Sequence, residues 1–242
     1  MTMGCETGGT MASVAEALPD RCADCEIRRI ALCGQIDVGA LRKLNTLSHT
    51  ERLRAGSTLL WESESADVVG IVRTGLLKLT ASLEDGREQT LGLAFPGDFV
   101  GRPFSADMEH SVTAIADSTI CTFSRTRFEA LAGEVPDLQQ ALLVRTFKDL
   151  DRARRWMLLL GRKSAGERVA SLLLETAEAN GADPGEPVPL PLSRQQIADV
   201  LGLTIETVSR KMHLFARSGV IALPSLRSFT VERPGELARL AA

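Results

Sequence analysis

The stretch CADCEIRRIALC, residues 22–33, holds three of the chain's five cysteines. Cys22 and Cys25 form a C-x2-C pair, and Cys33 follows after seven intervening residues. That pair spacing lets two thiolates of one loop reach the same ion or cluster. Three readings compete: a metal or iron–sulfur centre, a redox-active dithiol or disulfide, and coincidence. In a reducing cytosol disulfides are disfavoured, and clustered cysteines are more often metal ligands. Three ligands do not complete a closed zinc site or a usual iron–sulfur cluster, both of which take four. A cysteine as the fourth must be Cys5 or Cys121. Arg21, Arg28 and Arg29 flank the three cysteines, where positive charge favours thiolates and offsets the charge of a thiolate-bound centre.

A second constellation lies in LSRQQIADVLGLTIETVSRKMHLFARSGVI, residues 192–221. Glu206, Ser209 and Arg210 stand at i, i+3 and i+4, one face of a helix. Arg can bond guanine O6 and N7 as a bidentate fork, Glu can accept from cytosine N4, and Ser can meet a base or the backbone. An isolated helix with these residues is read as a solvated face with an i, i+4 Glu–Arg pair. On the second helix of a helix-turn-helix the same residues are read as base-contacting. Between Ser193 and Arg233, six basic residues (Arg194, Arg210, Lys211, Arg217, Arg227 and Arg233) face three acidic ones (Asp199, Glu206 and Glu232). The local excess of +3 suits phosphate contact, against −3 for the whole chain.

These residues need elements to position them. At 242 residues, 44% hydrophobic and 24% charged, the chain fits one or two globular domains with a substantial core. No apolar run approaches the roughly 18 residues that span a bilayer, so no membrane partner is expected. Residues 1–21 lack a basic start and a sustained apolar stretch. They are expected to be a mobile tail rather than a signal peptide, which places the chain in the cytoplasm. Segments RLRAGSTLLW, VVGIVRTGLLKLTASL, EQTLGLAF and SVTAIADSTICTF are short and rich in Val, Ile, Leu and Thr, with Gly and Pro between them. They predict an antiparallel barrel or roll, with Cys121 as a strand residue that reads locally as a small buried hydrophobe. From Asp137 to Gly161 the period becomes helical. Leu143, Phe147, Leu150, Ala153, Met157 and Leu160 form one apolar stripe, with Arg152, Arg154 and Arg155 on other faces. Such a stripe either meets a second copy of the helix or packs on its own β unit. Further on, Ser193 and Gln196 have capping-box spacing, Gly202 ends that helix, and Thr204 caps a second one running to about Arg217. GVIALPSLRSFTVE then reads as a two-stranded wing.

The order of cysteine arm, β-roll, long helix and winged helix resembles the CRP/FNR family of transcription regulators over nearly the whole chain from Cys22. GDFVGRP resembles the family's β-roll segment, and LGLTIETVSR is similar to the recognition region of the oxygen-responsive FNR branch. The C-x2-C-x7-C arm is similar to the alphaproteobacterial FnrL and FnrN group, other FNR proteins having a shorter last gap. The resemblance implies an α+β fold: residues 1–21 tail, 22–36 cluster-binding arm, 37–135 cyclic-nucleotide-binding-like β-roll, 136–163 dimerisation helix, 164–242 winged helix-turn-helix. It implies a [4Fe-4S] cluster on Cys22, Cys25, Cys33 and Cys121, with Cys5 outside the ligand set. It also implies a homodimer on a palindrome with TTGAT-type half-sites, released when oxygen degrades the cluster. The DNA-facing set is Glu206, Ser209, Arg210, Thr204 and Thr207, with Lys211 expected on phosphate. The turn EDGRE, residues 84–88, aligns with a surface that touches RNA polymerase in relatives, although alone it reads as a hairpin turn. Where cyclic-nucleotide-binding relatives carry an Arg-Ser pair for the phosphate, this chain reads His110-Ser111, so no cyclic nucleotide is expected. A four-cysteine zinc regulator and a cyclic-nucleotide regulator of the same fold remain the alternatives. The three histidines, His49, His110 and His213, stand in no nucleophile or metal motif, so no enzyme is expected.

Overall fold

A computed structural model describes residues 18–242 of the chain. Cys5 and most of the expected tail lie outside the described residues. Asp20 and Arg21, assigned to that tail, instead open a single helical turn, α1 (Asp20–Ala23). Two 3-10 turns, Glu26–Arg29 and Leu32–Gln35, complete the arm. Then comes α2 (Val38–Leu47), started by the Asp37 side chain, which accepts from the Ala40 backbone N–H at 2.7 Å.

The Val-, Ile- and Thr-rich segments form β1 (Ser48–Leu53), β2 (Thr58–Leu60), β3 (Val68–Thr74), β4 (Leu77–Ser82), β5 (Glu88–Ala94), β6 (Phe99–Val100), β7 (Ser111–Ala114) and β8 (Ser118–Ser124). They pair antiparallel into two sheets, ordered β1-β8-β3-β6 and β2-β7-β4-β5. Val72 and Ile120 point between the sheets toward Leu77 and Val112. The alternate residues Val69, Ile71 and Phe123 point outward and are also buried, under the arm and the helices that follow. Burial on both faces explains why β3 is apolar almost throughout.

Those helices are α3 (Arg125–Glu134) and α4 (Pro136–Arg162). Pro136 opens α4, where its missing N–H costs nothing. The 27 residues of α4 make a rod about 40 Å long. Its first turns bury Leu138, Ala141 and Leu142, and its last turns bury Trp156 and Leu159.

The C-terminal unit contains α5 (Ala165–Ala179), β9 (Pro187–Pro189), α6 (Arg194–Leu201), α7 (Ile205–Arg217), β10 (Ile221–Ser225), β11 (Ser228–Val231) and α8 (Pro234–Ala241). The Ser193–Gln196 capping box forms as its spacing predicts, and Gly202 closes α6 at φ 63° in the left-handed region. A second capping box, Ser164–Glu167, starts α5. The wing has three strands rather than two, because Val188 of β9 pairs with Phe229 of β11. Leu76, Leu93, Phe95 and Ile115 of the roll share one apolar cluster with Leu190, Ile197 and the rest of this unit. Among the described residues no helix is long and apolar enough to cross a membrane.

Candidate cysteine centre and nucleic-acid interface

Four separate stretches bring the described cysteines together. Cys22 sits in α1, Cys25 just before the first 3-10 turn, and Cys33 inside the second. Cys121 sits in β8 between Thr50 of β1 and Ile71 of β3. All four are free thiols, half-buried, and they line one cavity of about 40 Å³. Apolar packing holds the arm there: Ile27, Ala31 and Leu32 are buried in a cluster with Ile71, Phe123 and Leu138. The arm's fold also demands a bare Cα at Gly34, where a Cβ would stand 2.6 Å from the Arg28 carbonyl oxygen and 2.8 Å from that of Arg29.

The thiols feel one another. Burial, and then the neighbouring Cys121, Cys22 and Cys25, push the Cys33 thiol up to about 12. Burial pushes Cys121 up to about 11, although a Ser48 hydrogen bond and Arg73 pull the other way. Cys22 is raised by burial and by Cys25, while Arg28 and Arg73 oppose the shift. Thiols raised this far keep their protons at neutral pH, so a metal or cluster bound here would displace those protons to solvent. Arg21, Arg28 and Arg73 line the cavity and can offset thiolate charge. A single zinc ion needs thiolates at about 2.3 Å, hence within about 4 Å of one another. Among the described residues, no three Cys, His, Asp or Glu side chains converge closely enough to hold one ion. Four thiolates are the donor set both of a closed zinc site and of a usual iron–sulfur cluster.

Residues that sequence reasoning missed complete this wall. Asn45 accepts from the Cys22 thiol at 3.6 Å, and Ser48, Thr50, Ile71 and Arg73 line the same space. Their positions along the chain carried no signal. Ser48, Thr50, Ile71 and Arg73 join the cavity through the pairing of β1 and β3 with β8, and Asn45 through the packing of α2.

On α7, Val208, Met212 and Phe215 are buried, which turns Glu206 and Arg210 outward. Both side chains are exposed, one helical turn apart on the same face. His213 and Arg217 continue the exposed stripe at i+7 and i+11 from Glu206, a periodicity visible in the sequence but not used. Ser209 and Thr207 are half-buried beside it. Thr204 caps the helix, its hydroxyl accepting from the Thr207 N–H at 3.3 Å. Lys211 is half-buried and extends over the start of α5, its Nζ 3.7 Å from where a Cβ on Gly166 would be.

The outer face of α4 presents Leu143, Phe147, Leu150 and Met157 at 57%, 59%, 42% and 66% exposure, with Ala153 exposed among them. The stripe does not pack on the roll. Leu160 departs from it and packs partly against the C-terminal core. Leu143, Leu150 and Met157 are seven apart, as are Ala153 and Leu160, and a straight helix drifts about 20° per heptad away from such a repeat.

At His110-Ser111, burial first and then nearby Arg102 hold the imidazole below its usual pKa. Ser111 Oγ accepts from the Glu62 N–H at 3.0 Å.

A β-roll joined by a long helix to a winged helix-turn-helix defines a class of transcription regulator. Residues 50–134 match the cyclic nucleotide-binding domain and residues 167–240 the Crp-like helix-turn-helix domain. The chain belongs to the CRP/FNR family, whose members bind DNA and are not enzymes. It is 43% identical to the transcriptional activator protein FnrL of Cereibacter sphaeroides over 220 residues, 87% of this chain and 88% of that one. Against the fumarate and nitrate reduction regulatory protein of Escherichia coli it is 28% identical over 226 residues, 91% and 90% of the two chains. The solved structure of FixK2 from Bradyrhizobium japonicum superposes with a TM-score of 0.74 at 32% identity, covering 81% of this chain and 98% of that one.

Proposed function

We propose that this chain is an oxygen-responsive, cytoplasmic transcription regulator in which Cys22, Cys25, Cys33 and Cys121 hold a [4Fe-4S] cluster. The observation that carries the reading is the shared cavity, which three arm thiols and one strand thiol line together. When bound, the cluster supplies an oxygen-labile crosslink between the arm and β8.

The chain's own residues supply the rest. With the four thiolates tied together, the arm stays packed on Leu138 and steadies the first turns of α4. The exposed stripe from Leu143 to Met157 then meets its copy in a homodimer. Two copies of α7 reach successive major grooves of a palindrome with TTGAT-type half-sites, with Arg210 on the guanine and Glu206 on the opposite cytosine. In oxygen the arm loses its tether, the monomer gains population, and DNA is released. The bound group shifts this equilibrium only by its differential affinity for the two states. The exposed turn at residues 84–88, where Asp85 and Arg87 pair at 2.8 Å, is the surface offered to RNA polymerase. That a 43% identical relative is called a transcriptional activator supports activation as one outcome.

Anaerobic purification tests the reading. A brown protein containing iron and sulfide, bleached by air as its dimer dissociates, is expected. A colourless protein holding zinc in the same four thiols would overturn it.

A further inference from the structure

The inner face of α4 carries charge at the level where it crosses the roll. Arg145, Asp149 and Arg152 follow at i, i+4 and i+7, then the buried Trp156. Both arginines converge on Asp98, only 6% exposed, in the turn after β5. Asp98 Oδ2 accepts from the Phe95 N–H at 2.9 Å and from Arg152, and Oδ1 accepts from Arg145 at 2.8 Å. Arg152 also stands 5.9 Å over the Phe95 ring, and its Nε lies 3.4 Å from Glu175 on α5. Burial raises the Glu175 pKa even with Arg152 beside it.

The same turn touches the cysteine arm. A Cβ on Gly97 would stand 2.9 Å from Ile30 Cγ1, so Ile30 rests on the bare Cα of a residue at φ +93°. Ile30 is three residues from Cys33. One turn therefore contacts the arm through Gly97 and α4 through Asp98, and Arg152 carries the connection to the first helix of the DNA-binding unit.

We propose that Asp98, Arg152 and Glu175 are positioning residues that transmit the state of the cysteine arm to the DNA-binding unit separately from dimer formation. This rests on the reading of the four cysteines as a cluster site. A buried ion pair adds little stability, because desolvation offsets much of its attraction. Its stronger effect is directional: the planar guanidinium holds Asp98 and Glu175 at fixed angles, which a lysine ammonium does not. Coupling between distant sites needs an element whose arrangement both sites bias, and this junction touches both.

Glu175→Gln is the cleanest test, since Arg152 keeps Asp98 and no charge is orphaned. Arg152→Lys keeps the charge but loses the fork. Full-length anaerobic wild type, both single variants and the double variant are compared for iron and sulfide content, sedimentation, and affinity for a TTGAT palindrome. Affinity is measured before and after controlled air exposure, at concentrations where all are dimers. Expected are unchanged iron and dimer, and a cluster-loaded to cluster-free affinity ratio reduced about tenfold, within the usual size of coupling between sites. The double variant should be no worse than either single one. A ratio within twofold of wild type in iron-loaded, dimeric Glu175→Gln would overturn the proposal, as would full rescue in Arg152→Lys. Wild type without iron and sulfide would instead overturn the cluster reading beneath it, a separate failure seen before any DNA is added.

Discussion

Cys22, Cys25, Cys33 and Cys121 come from four pieces of backbone, whereas Glu206, Arg210, His213 and Arg217 come from one helix. The thiols meet only because Ile27, Ala31 and Leu32 press the arm onto β3, β8 and the start of α4. The α7 stripe is set by local helical period, with Val208, Met212 and Phe215 holding the helix down. A centre assembled through tertiary packing should fail abruptly when one contributor is lost. A surface on one helix should lose function in increments, one contact at a time.

The sharpest way to break this contrast is at the thiols. Cys33→Ser or Cys121→Ser should lower anaerobic iron and sulfide to background, while Cys5→Ser should change neither. Normal content in Cys121→Ser would remove the strand from the centre.

Next in size is the outer face of α4. Leu150→Glu or Met157→Glu should place unpaired charge in the dimer seam, at a cost of several kcal/mol. Sedimentation should then find an iron-loaded monomer, and a stable anaerobic dimer would show that the copies meet elsewhere. At Gly34 the added methyl of alanine must displace the Arg28 and Arg29 carbonyls, an overpacking of about 1–3 kcal/mol concentrated in the arm. Gly34→Ala should shed iron faster under anaerobic chelator challenge. Gly133→Ala, with open space around its Cα, should not.

On α7, Arg210→Ala should cost about 1–3 kcal/mol per half-site and flatten preference at the guanine in anaerobic binding titrations. Lys211→Ala should have the smallest effect, equal on all sequences and at most about one unit of salt slope per contact. If Lys211→Ala rather than Arg210→Ala erased the guanine preference, α7 would be rotated in the groove and the independence of its contacts would need rethinking.

Local rules made part of this molecule legible. The Ser193–Gln196 box, Gly202 and the period of α4 specify their elements within a few residues of chain, so α4, α6 and α7 were readable in advance. Regular turns between Val- and Thr-rich runs did the same for the roll. The helices α2, α3, α5 and α8 were not assigned, although α5 runs for 15 residues and Ser164 and Glu167 carry a capping signal as clear as that of Ser193 and Gln196. The 3-10 turns of the arm have no periodicity to read. Arg73 and Asn45 reach the thiols only through sheet pairing and the packing of α2, which no spacing encodes. Arg152 read as one of three arginines away from the stripe. It turns inward because Asp98, about 50 residues earlier, is buried where that face of the helix lands.

The unbroken length of α4 sets a mechanical scale. A stiff rod of about 40 Å, tilted by about 5° at one end, moves its other end by about 3.5 Å. The rise per base pair along one DNA strand is about 3.4 Å. In a symmetric pair both ends move, so a tilt of that size changes the reach between the two copies of α7 by up to about two base pairs. In the proposed dimer the helix would act as a gauge, the preferred spacing of half-sites reporting how firmly the arm end of the rod is gripped.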